Sequence, residues 1–262
     1  MNRSAQEHRQ EFQELGYTIF EGVLSQEEID YALPIFDETI TIDTMPPVVT
    51  GVSQSRRQLN SAQYCEPRLS NFGGHPRLLE AVAVLIDCPF SLIRSPVPCV
   101  TFPGSAGGPA GPQWVGHVDW WHTPPAEHDD EFVYGLVHFT TVEPNGGGFT
   151  VCPGSHRLVA ECLQNAELSE RMFRQQFKDF PGLAPAQEMR PRAGDVLFYH
   201  AFLVHGGSDN QSQQPRKVLF THYLPSPDEA AIQRIHEAVP NAFHPDHVAA
   251  MDKRFRRLCG IE

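Results

Sequence analysis

Two polar side chains stand two residues apart at His117-Val118-Asp119. Side chains alternate between faces along a strand, so His117 and Asp119 project from the same face. An imidazole and a carboxylate side by side offer two adjacent ligands to one metal ion. The pattern alone is common, and a surface strand with an internal His–Asp hydrogen bond satisfies it equally well. More distant residues sharpen it. His205 follows Asp119 by 86 residues, within Leu203-Val204-His205-Gly206-Gly207-Ser208-Asp209-Asn210, and Arg216 lies 11 residues beyond it at the start of another apolar strand. Two histidines and one carboxylate on one face of a metal leave three positions open, the arrangement associated with non-haem Fe(II) oxygenases. Those positions admit a bidentate 2-oxo acid and then dioxygen. If the 2-oxo acid is 2-oxoglutarate, its distal carboxylate also has to be held. An arginine fork does this bidentately and keeps its charge in a protein interior. His200, five residues before His205, competes for the distal position, and the spacing to Arg216 favours His205.

These residues need a β scaffold between helices, and the chain carries the signals for one. Ser4 with Glu7 and Ser25 with Glu28 are capping boxes for two N-terminal helices, the first ending at Gly16 and the second kinked or ended by Pro34. Tyr17 to Phe20 reads as a short strand between them, and His75 to Ile86 as a third helix with Pro76 in its first turn. From residue 90 the period changes. Strands are expected at Phe90–Arg94, Val97–Phe102, Trp114–Asp119, Phe132–Phe139, Phe149–Cys152, Val196–Tyr199, Leu203–His205 and Arg216–Leu224. A polar helical excursion is expected at Leu158–Lys178. Ser226, Pro227 and Glu229 cap a C-terminal helix, and Pro245 starts the last one. The Gly/Pro-rich loop Pro103–Pro112 is too long for a mere turn and leads into the His117 strand, so it is expected to border the site and to order on ligand binding. The whole is read as one domain over 1–262. A helical segment covers 1–88, a mainly β double-stranded β-helix (jelly roll) of cupin-like type covers 90–224, and helices cover 226–262.

Composition narrows the partners. The chain of 262 residues holds 20 Lys and Arg against 32 Asp and Glu, a net charge of −12. That argues against nucleic acid and against an anionic membrane surface. No apolar run approaches the roughly 18 residues of a membrane span. The six cysteines show no Cys-x-x-Cys pair. They read as reduced thiols of a cytoplasmic protein. The aromatic-rich surroundings of His117 and Asp119 suggest a compact, partly apolar small molecule as substrate, such as an amino-acid derivative or secondary metabolite. Oligomeric state is not legible.

The chain resembles the phytanoyl-CoA dioxygenase-like Fe(II)/2-oxoglutarate oxygenases over nearly its whole length. The similar stretches are FQELGYTIFEGVLSQEEI (12–29), His117-Val118-Asp119, EPNGGGFTVCPGSHR (143–157) and GDVLFYHAFLVHGGSDNQSQQPRKVLFTHYL (194–224). The resemblance implies that His117, Asp119 and His205 bind Fe(II) and that Arg216 binds the 5-carboxylate of 2-oxoglutarate. It implies oxidative decarboxylation of 2-oxoglutarate to succinate and carbon dioxide, driven by O2 and coupled to substrate oxidation. Relatives that halogenate have a small residue in place of the carboxylate, so Asp119 points to hydroxylation, desaturation or ring chemistry. Many relatives carry Ser or Thr two residues after the distal His. Here Gly207 stands there, so either Ser208 takes that role by a local shift or another group does. Tyr223 is placed where an aromatic often follows the arginine, although its strand parity is opposite to that of Arg216.

Around the metal motif, Trp114, Trp121 and His122 are candidate substrate contacts, while Trp120 faces away by alternation. His156 reads as a turn residue and Asn145 to Gly148 as a positive-φ turn, while Arg94 and Arg157 are candidates to meet a substrate carboxylate that read better as surface charges. The competing function is a cupin-like metalloenzyme, an isomerase or hydrolase that does not use 2-oxoglutarate. Succinate formation separates the two.

Overall fold

A computed structural model describes residues 3–41, 56–58, 65–104, 116–119, 132–165, 167, 177, 181–238 and 241–261. The helices are α1 (Ala5–Leu15), α2 (Gln26–Thr39), α3 (Pro67–Ser70), α4 (Pro76–Leu85), α5 (Ser155–Leu163), α6 (Glu229–Ala238), α7 (Pro245–Ala250) and α8 (Lys253–Leu258). The strands are β1 (Tyr17–Phe20), β2 (Arg56–Gln58), β3 (Phe90–Leu92), β4 (Val97–Thr101), β5 (Val133–His138), β6 (Phe149–Val151), β7 (Gln187–Glu188), β8 (Val196–His200), β9 (His205–Gly207) and β10 (Arg216–Pro225).

Both expected capping boxes form, and Gly16 ends α1 at φ 79°. Pro34 does not end its helix. It is exposed within α2, and Ile35 and Phe36 just beyond it are buried. That anchoring outweighs the local penalty. The C-terminal cap also differs from expectation. Asp228 accepts the Ala231 N–H at 2.7 Å, whereas the Ser226 hydroxyl is 2.7 Å from that of Ser91.

Two antiparallel sheets face each other, as in a double-stranded β-helix. The larger runs β1-β8-β5-β10-β4-β2, with β3 beside the far end of β10. The smaller runs β7-β6-β9, and His117 adds a further rung by bridging His205. Alternation on β10 sorts the side chains. Arg216, Val218, Phe220 and His222 point between the sheets, and Leu219 and Tyr223 point outward to the helices. On β8, Leu197 and Tyr199 face inward while Val196 and Phe198 face the helices.

The helices pack on the outer face of the large sheet. Phe36 is fully buried there, its ring 5.1 Å from that of Phe139. Phe36→Ala is expected to destabilise the fold by about 3–5 kcal/mol, the usual result of deleting a buried aromatic ring. Urea unfolding at unchanged slope measures it. A loss below about 1 kcal/mol, typical of surface positions, would show that this helix layer is not a cooperative part of the core.

Candidate metal centre

The two histidines of the motif lie directly across from each other on adjacent backbone segments. The His117 N–H donates to His205 O at 2.8 Å and the His205 N–H to His117 O at 2.9 Å. In such a reciprocally bonded antiparallel pair both side chains leave from one face. The Asp119 N–H donates to Ala201 O at 3.2 Å, which holds the carboxylate beside them. Asp119 Oδ1 lies 3.6 Å from His117 Nε2 and 3.5 Å from His205 Nε2. The donor atoms of the three residues all fall within 4.8 Å of one another. Ligands about 2.1 Å from one ion lie roughly 3–4 Å apart, so the donor set fits a divalent metal. Burial would raise the Asp119 pKa. The His205 and His117 imidazoles outweigh it and hold the carboxyl well below the usual carboxylate range, so it is ionised.

Neighbouring groups fix these donors. His205 Nδ1 donates to Leu203 O at 2.8 Å, which sets the tautomer and leaves the Nε2 lone pair facing Asp119. The Phe149 ring stacks on the His205 ring at 4.7 Å. Tyr199 Oη donates to Asp119 Oδ2 at 2.7 Å, so that oxygen is engaged while Oδ1 faces the imidazoles. Sequence reasoning missed Tyr199, which read only as part of an apolar strand. The available signal was alternation, which puts Leu197 and Tyr199 on the inner face.

The triad opens on a cavity of about 660 Å³, solvent at its mouth included, which Arg216 also lines. Arg216 is 3% exposed and donates from Nη2 to Thr101 Oγ1 at 3.3 Å, on the strand that pairs with it. Burial first, and the Arg216 charge second, push the nearby His138 down to about 3, so that imidazole is neutral. Lys217 points the other way, its Nζ 2.7 Å from Asp37 Oδ1 on α2.

Two expected co-substrate contacts lie elsewhere. Ser208 is buried on the far side of its strand, donating to Gly148 O at 2.9 Å and lying 2.6 Å from the Thr150 hydroxyl. Gly207, of the same parity as His205, lines the cavity instead. Tyr223 is enclosed among the helices, and its hydroxyl donates to Gly73 O at 2.7 Å. Strand parity explains both. Arg94, expected at the surface, is in the cavity wall. His200 faces α1 and the His156 ring, away from the triad, with its Nδ1 accepting the Phe202 N–H at 3.0 Å. His156 is structural as expected, its Nε2 3.2 Å from Gln13 O, and Asn145 and Gly147 take positive φ. Trp114, Trp121, His122 and residues 105–112 of the Gly/Pro loop lie outside the described residues.

Comparison with known proteins places this architecture. The peroxisomal phytanoyl-CoA dioxygenase of Rattus norvegicus is 20% identical over 230 residues, covering 83% of this chain and 67% of its own. The non-heme alpha-ketoglutarate-dependent carbocyclase SnoK of nogalamycin biosynthesis superposes with a TM-score of 0.68 at 22% identity, over 86% of this chain and 87% of its own. The epimerase SnoN of the same biosynthesis gives 0.65 at 21%, over 84% and 83%. HygX from Streptomyces hygroscopicus, solved with nickel and 2-oxoglutarate bound, gives 0.56 at 19%, over 86% and 88%. At these identities the likeness to solved structures is one of fold. Residues 54–218, well over half the chain and including all three candidate metal ligands and Arg216, match the family described as Phytanoyl-CoA dioxygenase (PhyH), and the chain belongs to that family.

Proposed function

We propose that this protein is an Fe(II)- and 2-oxoglutarate-dependent dioxygenase that oxidises a small organic molecule, with hydroxylation as the outcome. The observation that carries this reading is the convergence of His117, Asp119 and His205 in the same cavity wall as the buried Arg216. In that reading the three residues hold one iron, and Arg216 holds the distal carboxylate of the co-substrate. The bound iron and 2-oxoglutarate supply the oxidising chemistry, using dioxygen and releasing succinate and carbon dioxide.

The chain's own residues position and shield. The Leu203 carbonyl keeps the His205 Nδ1 proton away from the metal side. The Tyr199 hydroxyl fixes the Asp119 plane through Oδ2. Arg216 carries a permanent charge in a place where water cannot screen it, so a carboxylate bound there is strongly preferred over a neutral group. Phe149 and Phe220 present apolar surface toward the reacting space. SnoK and SnoN are a carbocyclase and an epimerase, so the reaction type has to be read from product rather than fold. The test is succinate release from 2-oxoglutarate with Fe(II) under air, together with mass spectrometry of the oxidised product. Gain of one oxygen atom supports hydroxylation. Metal-dependent turnover of another kind, without succinate, would favour the cupin-like isomerase or hydrolase.

Tyr199→Phe isolates the hydroxyl that fixes Asp119. Loss of a partner one step removed from a metal typically costs 10–100-fold in metal affinity or activity. The expected result is a drop in that range in Fe(II) affinity, with 2-oxoglutarate affinity at saturating metal little changed. Unchanged metal affinity would mean that the Tyr199 contact does not position the ligand.

A further inference from the structure

The end of β10 away from Arg216 carries a histidine that the proposed co-substrate site does not use. Three inner-face side chains stand in one row across the large sheet. Tyr199 on β8 is opposite Tyr134 on β5, and Tyr134 is opposite His222 on β10. Their rings meet edge-on along the row, Tyr199 to Tyr134 at 5.7 Å and Tyr134 to His222 at 4.4 Å. Tyr199 reaches Asp119 from this row, so His222 stands level with the candidate metal centre, two strands or roughly 10 Å across the sheet from Tyr199. Arg216 lies six residues away along β10, roughly 20 Å of backbone. A co-substrate stretched from the metal to Arg216 therefore leaves the His222 end of the cavity to another molecule. His222 lines that cavity together with Val97, Phe149 and Phe220.

The two ring nitrogens of His222 differ. Nδ1 is shut off from water and has no hydrogen-bond partner among the described residues. A proton there would be a stranded N–H, which folded proteins rarely tolerate. The imidazolium carries a proton on both nitrogens, so it would add the cost of a buried charge to that of the stranded N–H. In agreement, burial and then the Arg94 charge push His222 down to about 3. What remains is the neutral ring with its proton on Nε2, the nitrogen that is not sealed in this way. That ring offers the cavity one N–H donor and no net charge.

We propose that His222 donates from Nε2 to a neutral acceptor oxygen of the substrate, a carbonyl or hydroxyl, so that the enzyme acts on a partly apolar, oxygen-bearing molecule held by that oxygen. This rests on the metal and 2-oxoglutarate assignments proposed above. Phe149 and Phe220 receive the apolar remainder of the molecule.

The test uses the full-length protein loaded with Zn(II) and saturating 2-oxoglutarate. Long-range proton–nitrogen spectra of histidine-labelled protein read the tautomer, and the signals that vanish in His222→Gln identify the ring. The expected state is a neutral ring protonated on Nε2. The binding probes are acetophenone and α-methylstyrene, which have the same shape and differ by the carbonyl oxygen. His222→Phe is expected to weaken acetophenone at least about fivefold relative to α-methylstyrene, the result of burying a carbonyl that has lost its donor. His222→Gln is expected to recover part of that ratio, because its amide nitrogen places a donor near the same point. Both variants are expected to keep 2-oxoglutarate affinity within about twofold, which also shows that they are folded. A ring protonated on Nδ1, no binding of acetophenone by wild type, or an unchanged probe ratio in His222→Phe overturns the proposal. So does a His222→Phe variant that loses 2-oxoglutarate and both probes together. The same titrations with Zn(II) alone separate the two readings. Failure of wild type to bind 2-oxoglutarate counts against the proposed function, and the probe ratio still reports on His222.

Discussion

His205→Ala is expected to abolish turnover and to weaken Fe(II) binding by more than the 10–100-fold typical of losing a group one step removed from a metal. The reason is geometric. Three donors meet at Asp119 Oδ1, with the two imidazole nitrogens 3.6 and 3.5 Å away. Removing one leaves two ligands, too few to outcompete water on a labile divalent ion. The backbone pair between His117 and His205 uses only main-chain groups, so alanine retains it and the cavity wall persists. His200→Ala supplies the contrast. That ring lies on the outer face of the large sheet at the end of β8, among Phe12, His156 and Phe202, and its Nδ1 caps the Phe202 N–H. Its loss is expected to lower stability and leave Fe(II) affinity unchanged. Equilibrium dialysis against Fe(II) under argon, beside a thermal melt, reads both quantities. If His200→Ala loses the metal and His205→Ala retains it, the ligand assignment is wrong.

Features that neighbouring residues set by themselves are legible in the sequence. The capping boxes at Ser4 and Ser25 are complete within four residues, and both form. His117 and Asp119 are two apart on one extended segment, so their shared face needed only alternation. The inner face of β10 was legible in the same way once Arg216 was placed, and parity alone set Tyr223 against it. What stayed hidden depends on contacts between distant segments. Pro34 is tolerated because Ile35 and Phe36 reach a sheet formed more than a hundred residues later. β7 is two residues long and exists through its pairing with β6. Tyr199 finds Asp119 across 80 residues, and Arg94 reaches the cavity because β3 pairs with the far end of β10. No local pattern distinguishes that arginine from a surface one.

Arg216→Ala is expected to weaken 2-oxoglutarate binding by two to three orders of magnitude while leaving Fe(II) affinity nearly intact. Arg216 is 3% exposed, so a carboxylate that meets it has left water. Breaking a buried pair by deleting one partner costs about 3–5 kcal/mol, because the remaining charge is stranded. Each 1.4 kcal/mol is about tenfold in affinity, which gives the expected factor. Lys217 cannot take over. It is on the outer face of β10 and already engages Asp37 on α2. Neither can His138, which burial and Arg216 itself keep neutral; in Arg216→Ala the burial remains, and a buried imidazole still disfavours the charged form. Arg216→Lys is expected to recover only part of the affinity, since one ammonium cannot make two parallel bonds to a carboxylate and Thr101 is placed to steady a guanidinium nitrogen. The measurement is titration of the anaerobic Fe(II) protein with 2-oxoglutarate, followed by the visible charge-transfer absorbance of the chelate, beside succinate release under air. Retained affinity in Arg216→Ala, with the loss falling on Arg94→Met instead, would move the carboxylate site to Arg94, the other arginine in the cavity wall. Retained affinity in both single variants would remove the electrostatic basis for a bound dicarboxylate and leave the cupin-like metalloenzyme as the better account of the triad.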